Sequence, residues 1–172
     1  QPALTWDGAA YVVVWHALTD DYVYAARLAP GGRRLAGPQP VNRIGPADRP
    51  AVTADGNRCG VAWHCARWGK EWVFFRVLGA GLRPRTDYHL AGSEGALVSA
   101  LALAGNGYAL AYDSTHHTPP SAVAFFWLDA DGMRHELTEI SASPGVAAVE
   151  PAMAADGIGF GIAWKQSAQY DR

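Results

Sequence analysis

The chain has 172 residues, 49% of them apolar and only 17% charged, with a formal charge of −2. This length can close one domain around a full core, and the lack of any basic run excludes a nucleic-acid or anionic-membrane surface. The longest apolar runs are of strand length, which excludes a transmembrane helix, and 19 glycines and 11 prolines are spaced like the turns between many short strands.

One stretch occurs four times. Pro2-Ala3-Leu4-Thr5-Trp6-Asp7-Gly8 leads to Trp15, Pro50-Ala51-Val52-Thr53-Ala54-Asp55-Gly56 to Trp63, Ser99–Gly105 to Tyr112, and Pro151–Gly157 to Trp164. The closing aromatic always stands 13 positions after the first residue, and the copies begin 48, 49 and 52 residues apart. A period of that size marks a repeat architecture. The repeats are 1–49, 50–98, 99–150 and an incomplete 151–172.

In the first repeat, strand a is Ala3–Trp6, ended by the hairpin signal Asp7-Gly8. Strand b, Ala10–His16, is β-branched and aromatic on both faces, as a strand buried between neighbouring sheets must be. A polar loop, Ala17–Asp21, leads to strand c, Tyr22–Leu28, and a Pro-Gly-Gly turn leads to strand d near Arg34–Val41. Pro38 and Pro40 make d the outer edge, because proline cannot donate to a central ladder. The second repeat reads alike, with b at Cys59–Cys65, a loop at Ala66–Lys70, c at Glu71–Leu78 and d near Arg85–Leu90. In the third, b is Tyr108–Tyr112, c is Ala122–Leu128 and d is near Arg134–Ile140, while the fourth carries only a and b. Cys59 and Cys65, six positions apart on one straight strand, would stand roughly 20 Å apart and cannot bond to each other.

The expected fold is therefore all-β: three four-stranded β-propeller blades and the first two strands of a fourth, with another chain, chain segment or symmetry mate completing a closed ring. The fourth copy of the a–b signature counts against a three-fold trefoil or prism. The closing aromatics are expected to wedge between blades.

The pattern Pro-Ala-(apolar)-x-x-Asp-Gly, an apolar strand closing on Ala-Trp, and an aromatic strand ending near Arg27 or Arg76 resembles the propeller-type repeats of bacterial secreted and surface proteins. The resemblance implies a secreted or cell-surface location. The sequence lacks the sialidase Asp-box, the Trp-Asp of WD40 blades and the double glycine of kelch blades, and its third copy departs from the pattern at Ser99, Ala104 and Tyr112.

In such a fold the b–c and d–a loops share one face, and scaffold-held loops carry function. The residue after each closing aromatic is polar: His16, His64, Asp113 and Lys165. Together with Asp21, the loop Arg67-Trp68-Gly69-Lys70, and His116, they form the candidate binding rim for a carbohydrate or protein ligand. Asp20, Asp21, Asp48, Glu71, Asp113 and Glu150 are candidate acids for an alternative reading, a glycoside hydrolase or lyase with paired carboxylates in a central funnel. A purely structural segment is the third reading. No nucleophile, zinc-protease, phosphate-loop or dinucleotide motif is present, so no catalytic residue, metal site or cofactor is assigned, and a non-catalytic binding module is the first expectation.

Overall fold

The computed structural model describes residues 1–43, 45–67, 69–87, 89–90, 96–114, 122–140, 146–156 and 158–168. Strands make up 70% of the structure, and no described residue is in a helix. The first sheet holds β1 (Pro2–Trp6), β2 (Tyr11–Ala17), β3 (Tyr22–Leu28) and β4 (Arg34–Pro40). The second holds β5 (Ala47–Ala54), β6 (Arg58–Arg67), β7 (Lys70–Gly79) and β8 (His89–Leu90). The third holds β9 (Ala96–Ala104), β10 (Gly107–Ser114), β11 (Ala122–Leu128) and β12 (Arg134–Glu139), and the fourth pairs β13 (Val146–Ala155) with β14 (Phe160–Ala168). Each sheet is an antiparallel meander in chain order.

The first strands of successive sheets touch in series, β1 to β5, β5 to β9 and β9 to β13, so they form the inner row. Successive sheets pack face to face through separate apolar clusters. Val12, Val14, Val23 and Ala25 of the first sheet meet Val61, Trp63 and Phe74 of the second. Ala62, Val73, Phe75 and Val77 of the second meet Tyr108, Leu110, Tyr112 and Phe126 of the third, and Ala111 and Val123 of the third meet Ile162 and Trp164 of the fourth. This explains why strand b is apolar on both faces. Each buried Val, Leu or Phe contributes about 1.5–3 kcal/mol. The closing aromatic of each complete sheet also stacks on an aromatic of the next strand, directly opposite for Trp15 on Tyr24 and Trp63 on Phe74 and diagonal for Tyr112 on Phe126, at 6.0, 5.9 and 5.4 Å.

The Asp of the repeated Asp-Gly closes the first hairpin. Asp7 Oδ1 accepts from the Ala9 and Ala10 amides at 2.9 and 2.8 Å. Asp55 does the same for Asn57 and Arg58, and Asp156 for Ile158 and Gly159. Such a side chain offers the turn the acceptor its backbone lacks. Asp7 is buried and also accepts from Arg27 Nε at 2.5 Å, while Arg58 reaches the Asn106 and Gly105 carbonyls and ties the second sheet to the third.

Four boundaries differ from the sequence expectation. Among the described residues, strand d of the second repeat is His89–Leu90, and Pro84, which supplies no ladder donor, makes a lone bridge to Leu78. Strands β5 and β13 begin upstream of Pro50 and Pro151, the residues that open the second and fourth repeats. Each accommodates its proline at a bulge, between Asp48 and Ala51 and between Val149 and Ala152. The second b–c connection is no extended polar loop, since Arg67 pairs with Lys70 across a tight hairpin and Gly69 takes φ +73°. Cys59 and Cys65 are both free and buried, and burial pushes the Cys59 thiol up to about 12.

Two predictions follow from these contacts. The Arg27 hydrogen bond holds the Asp7 carboxyl below its ordinary 3.8, so its contribution is present above that pH and is lost as pH falls through the lower folded value. Asp7→Asn should destabilise the protein by about 1.5–3 kcal/mol at pH 7 in urea unfolding, with the deficit shrinking below pH 3.8; a pH-independent deficit would show that charge plays no part. A Cβ on Gly60 would stand 2.6 Å from the Tyr108 ring, whereas one on Gly161, at the same repeat position, meets nothing within 4 Å. Gly60→Ala should cost about 1–3 kcal/mol and Gly161→Ala almost nothing, measured as urea midpoints at constant slope.

Candidate functional site

The ends of the second sheet's first three strands converge on one histidine. The bulge at Arg49-Pro50 sets the register of β5 so that Asp48 lies directly opposite His64. Two pairs along β6 and β7 from His64, Ala66 faces Glu71, which puts Glu71 diagonally across from His64 on the same side of the sheet. His64 Nδ1 lies 2.6 Å from Asp48 Oδ1, and His64 Nε2 lies 2.5 Å from Glu71 Oε2. A carboxylate can only accept, so the Asp48 bond assigns the Nδ1 proton. The Glu71 contact lies off the N–H direction, so it is a close electrostatic contact and not a directed hydrogen bond. The imidazole is 9% exposed, while the Asp48 and Glu71 side chains are 44% and 38% exposed.

The first sheet repeats this device in looser form. His16 follows Trp15 as His64 follows Trp63, and His16 Nε2 lies 3.2 Å from Asp21 Oδ1. Register makes Asp21 the counterpart of Glu71, for each acid precedes an aromatic-Val-aromatic run, Tyr22-Val23-Tyr24 or Trp72-Val73-Phe74. The Asp21 carbonyl also accepts from the Ala47 amide at 2.9 Å and fastens the first hairpin to the start of β5. Asp21 and Arg49 have φ of +57° and +45°. Side chains in that region are strained, and they occur where the surrounding structure dictates their direction.

The two histidines, Asp21, Asp48, Arg49 and Glu71 line one cavity of about 330 Å³ at the seam between the first two sheets. Arg49 Nε is 3.9 Å from Asp48 Oδ2. Three carboxylates against one guanidinium make the wall rich in hydrogen-bond acceptors. Asp20 beside it accepts from the Tyr24 hydroxyl at 2.6 Å, a bond that raises the Tyr24 phenol above its ordinary value.

Of the rim residues expected from sequence, the structure brings His16, Asp21 and His64 into this cavity. Arg67 and Lys70 stand at the hairpin end beyond its lining. Asp113 is buried at 4% exposure on β10, and Lys165 is exposed on β14 opposite Val149; neither lines the cavity. Trp68 and His116 lie outside the described residues. Asp48, Arg49 and Glu71 join the site only through register and bulge. Asp48 and Glu71 were candidate acids of the sequence, and the acid-aromatic-Val-aromatic run that twice follows Trp-His was the signal that could have joined Glu71 to His64. Among the described residues, no group of three His, Cys, Asp or Glu side chains is arranged to hold a metal ion.

Removing the imidazole would leave Asp48 and Glu71 facing each other. His64→Leu should therefore destabilise the protein by about 1–2 kcal/mol at pH 7, a value kept small by the exposure of both acids. Adding Asp48→Asn should recover part of the loss in a urea double-mutant cycle, and strict additivity would refute the coupling.

No protein-family model matches the chain, and no curated protein matches it. Among solved structures it is similar to one described as the crystal structure of a thermostable family-43 glycoside hydrolase, with a TM-score of 0.63 and 9% sequence identity. The alignment covers 96% of this chain, which spans 64% of the length of that structure. At that identity the likeness is one of fold alone, and the fold of that neighbour is a five-bladed β-propeller.

Proposed function

We propose that the chain is a non-catalytic propeller module that binds a carbohydrate through the cavity at the seam of its first two blades. The observation that supports this best is the convergence of two imidazoles, three carboxylates and one guanidinium in a single open cavity on the b–c and d–a side. Carboxylates accept paired hydrogen bonds from sugar hydroxyls, while a guanidinium supplies complementary donors. The excess of acids disfavours uronic or sialic acids and favours neutral or amino sugars. A secreted or surface location belongs to the same reading.

The alternative is a glycoside hydrolase, which needs two carboxyl groups flanking the scissile bond. Asp21 of the first blade and Asp48 and Glu71 of the second do line one cavity. Yet Asp48 and Glu71 both contact the ring of His64 and are engaged with one side chain rather than facing each other across open space. Binding therefore accounts for the geometry better than catalysis. A glycan array, with sugar release measured on the same panel, separates the readings. The expected result is retained binding of a neutral or amino glycan without hydrolysis, weakened about 10–100-fold by Glu71→Gln or Asp21→Asn. Hydrolysis abolished by those variants would establish the enzyme, and a blank array would leave a structural segment.

A further inference from the structure

Each blade has two unlike faces. At every internal seam one blade presents small or β-branched residues of its second strand, and the following blade covers them with a row ending in its closing aromatic. Val12 and Val14 lie under Val61 and Trp63, Ala62 under Tyr108, Leu110 and Tyr112, and Ala111 under Ile162 and Trp164. Gly60 admits the Tyr108 ring at a distance no Cβ allows.

The two outer faces carry the halves of this same pattern without a partner. On the first blade the large row is uncovered: Leu4 is 61% exposed and Tyr11 38%. With Val13, Leu28 and Pro30 they line an apolar hollow of about 450 Å³. On the fourth sheet the small row is uncovered, with Ala152, Ala154, Gly161 and Ala163 all exposed. Gly161 has open space where Gly60 has Tyr108. Beyond β14 no further strand pairs among the described residues.

We propose that the Leu4–Tyr11–Val13 face of the first blade is a blade-docking surface, and that its occupant is one further four-stranded blade of this repeat type. That blade would lay a Gly/Ala/Val row on Leu4, Tyr11 and Val13 and cover Ala152, Ala154, Gly161 and Ala163 with its own large row. The likeness to a five-bladed ring selects this occupant. Four sheets that superpose on a five-bladed ring over 96% of the chain leave room for one more. A second copy brings four sheets, and its head-to-tail contact would leave both outer faces open again.

The test extends the full chain after Ala168 with a copy of residues 70–140, which supplies two outer strands for the fourth blade and one complete further blade. Leu4→Cys provides a reporter thiol, since Cys59 and Cys65 are buried. The expected result is a monomer in which position 4 labels at least tenfold more slowly than in the unextended variant. A folded extended chain with unchanged labelling overturns the proposal. So does protection in the unextended chain accompanied by a doubled native mass, which would make the occupant a second copy. A second extension ends in a copy of residues 50–98 in place of the last blade, and failure of both extensions to fold also overturns it.

Discussion

The structure depends on covering sheets that are apolar on both faces. A four-stranded antiparallel sheet normally hides one face and shows the other to water. Here the second strands carry Val12 and Val14 on one side and Val13 and Trp15 on the other, and the later repeats do the same with Ala62 beside Trp63 and Ala111 beside Tyr112. Such a sheet is stable only with a neighbour on each side, and pairing small rows with large rows makes the neighbours interlock. The buried Trp63, Tyr108, Tyr112 and Phe75 are products of that constraint. Core packing of this density tolerates no extra methyl group where Gly60 meets Tyr108.

The same constraint creates the site. Two sheets pressed together along their apolar middles diverge where the strands end, and polar side chains at those ends must share the space between them. His16 and His64 are the first residues past the apolar run, so each needs a polar partner, and each finds an acid on the hairpin of its own blade. Asp48 adds a second acid to His64 because the bulge shifts β5 by one residue and turns its side chain toward β6. Bulges commonly re-aim a side chain in this way. The strained Asp21 and Arg49 lie on the two segments that meet there.

Much of the fold was legible because the repeat is constrained twice over. A hairpin closed by an Asp side chain fixes the distance from Pro2 to Trp15, and a closing aromatic that must stack across the sheet fixes its end. The site was legible only in part. His16, Asp21 and His64 could be placed because they flank that fixed aromatic or its loop. Asp48 and Glu71 could be named as candidate acids but not joined to His64, and Arg49 was not singled out, because their neighbours depend on strand register, and proline at position 50 reads as a strand start when it is in fact a bulge inside β5. Arg67 and Lys70 read as loop by polarity, although they extend a hairpin.

The account stands or falls on whether ligand contact is confined to the seam between the first two blades. The direct measurement is a titration of the isotopically labelled chain with a neutral oligosaccharide, followed in its backbone and imidazole resonances. The account predicts shifts confined to His16, Asp21, Asp48, Arg49, His64, Glu71 and their immediate neighbours. Shifts centred instead on Asp113 and Lys165, with His64 unmoved, would contradict it.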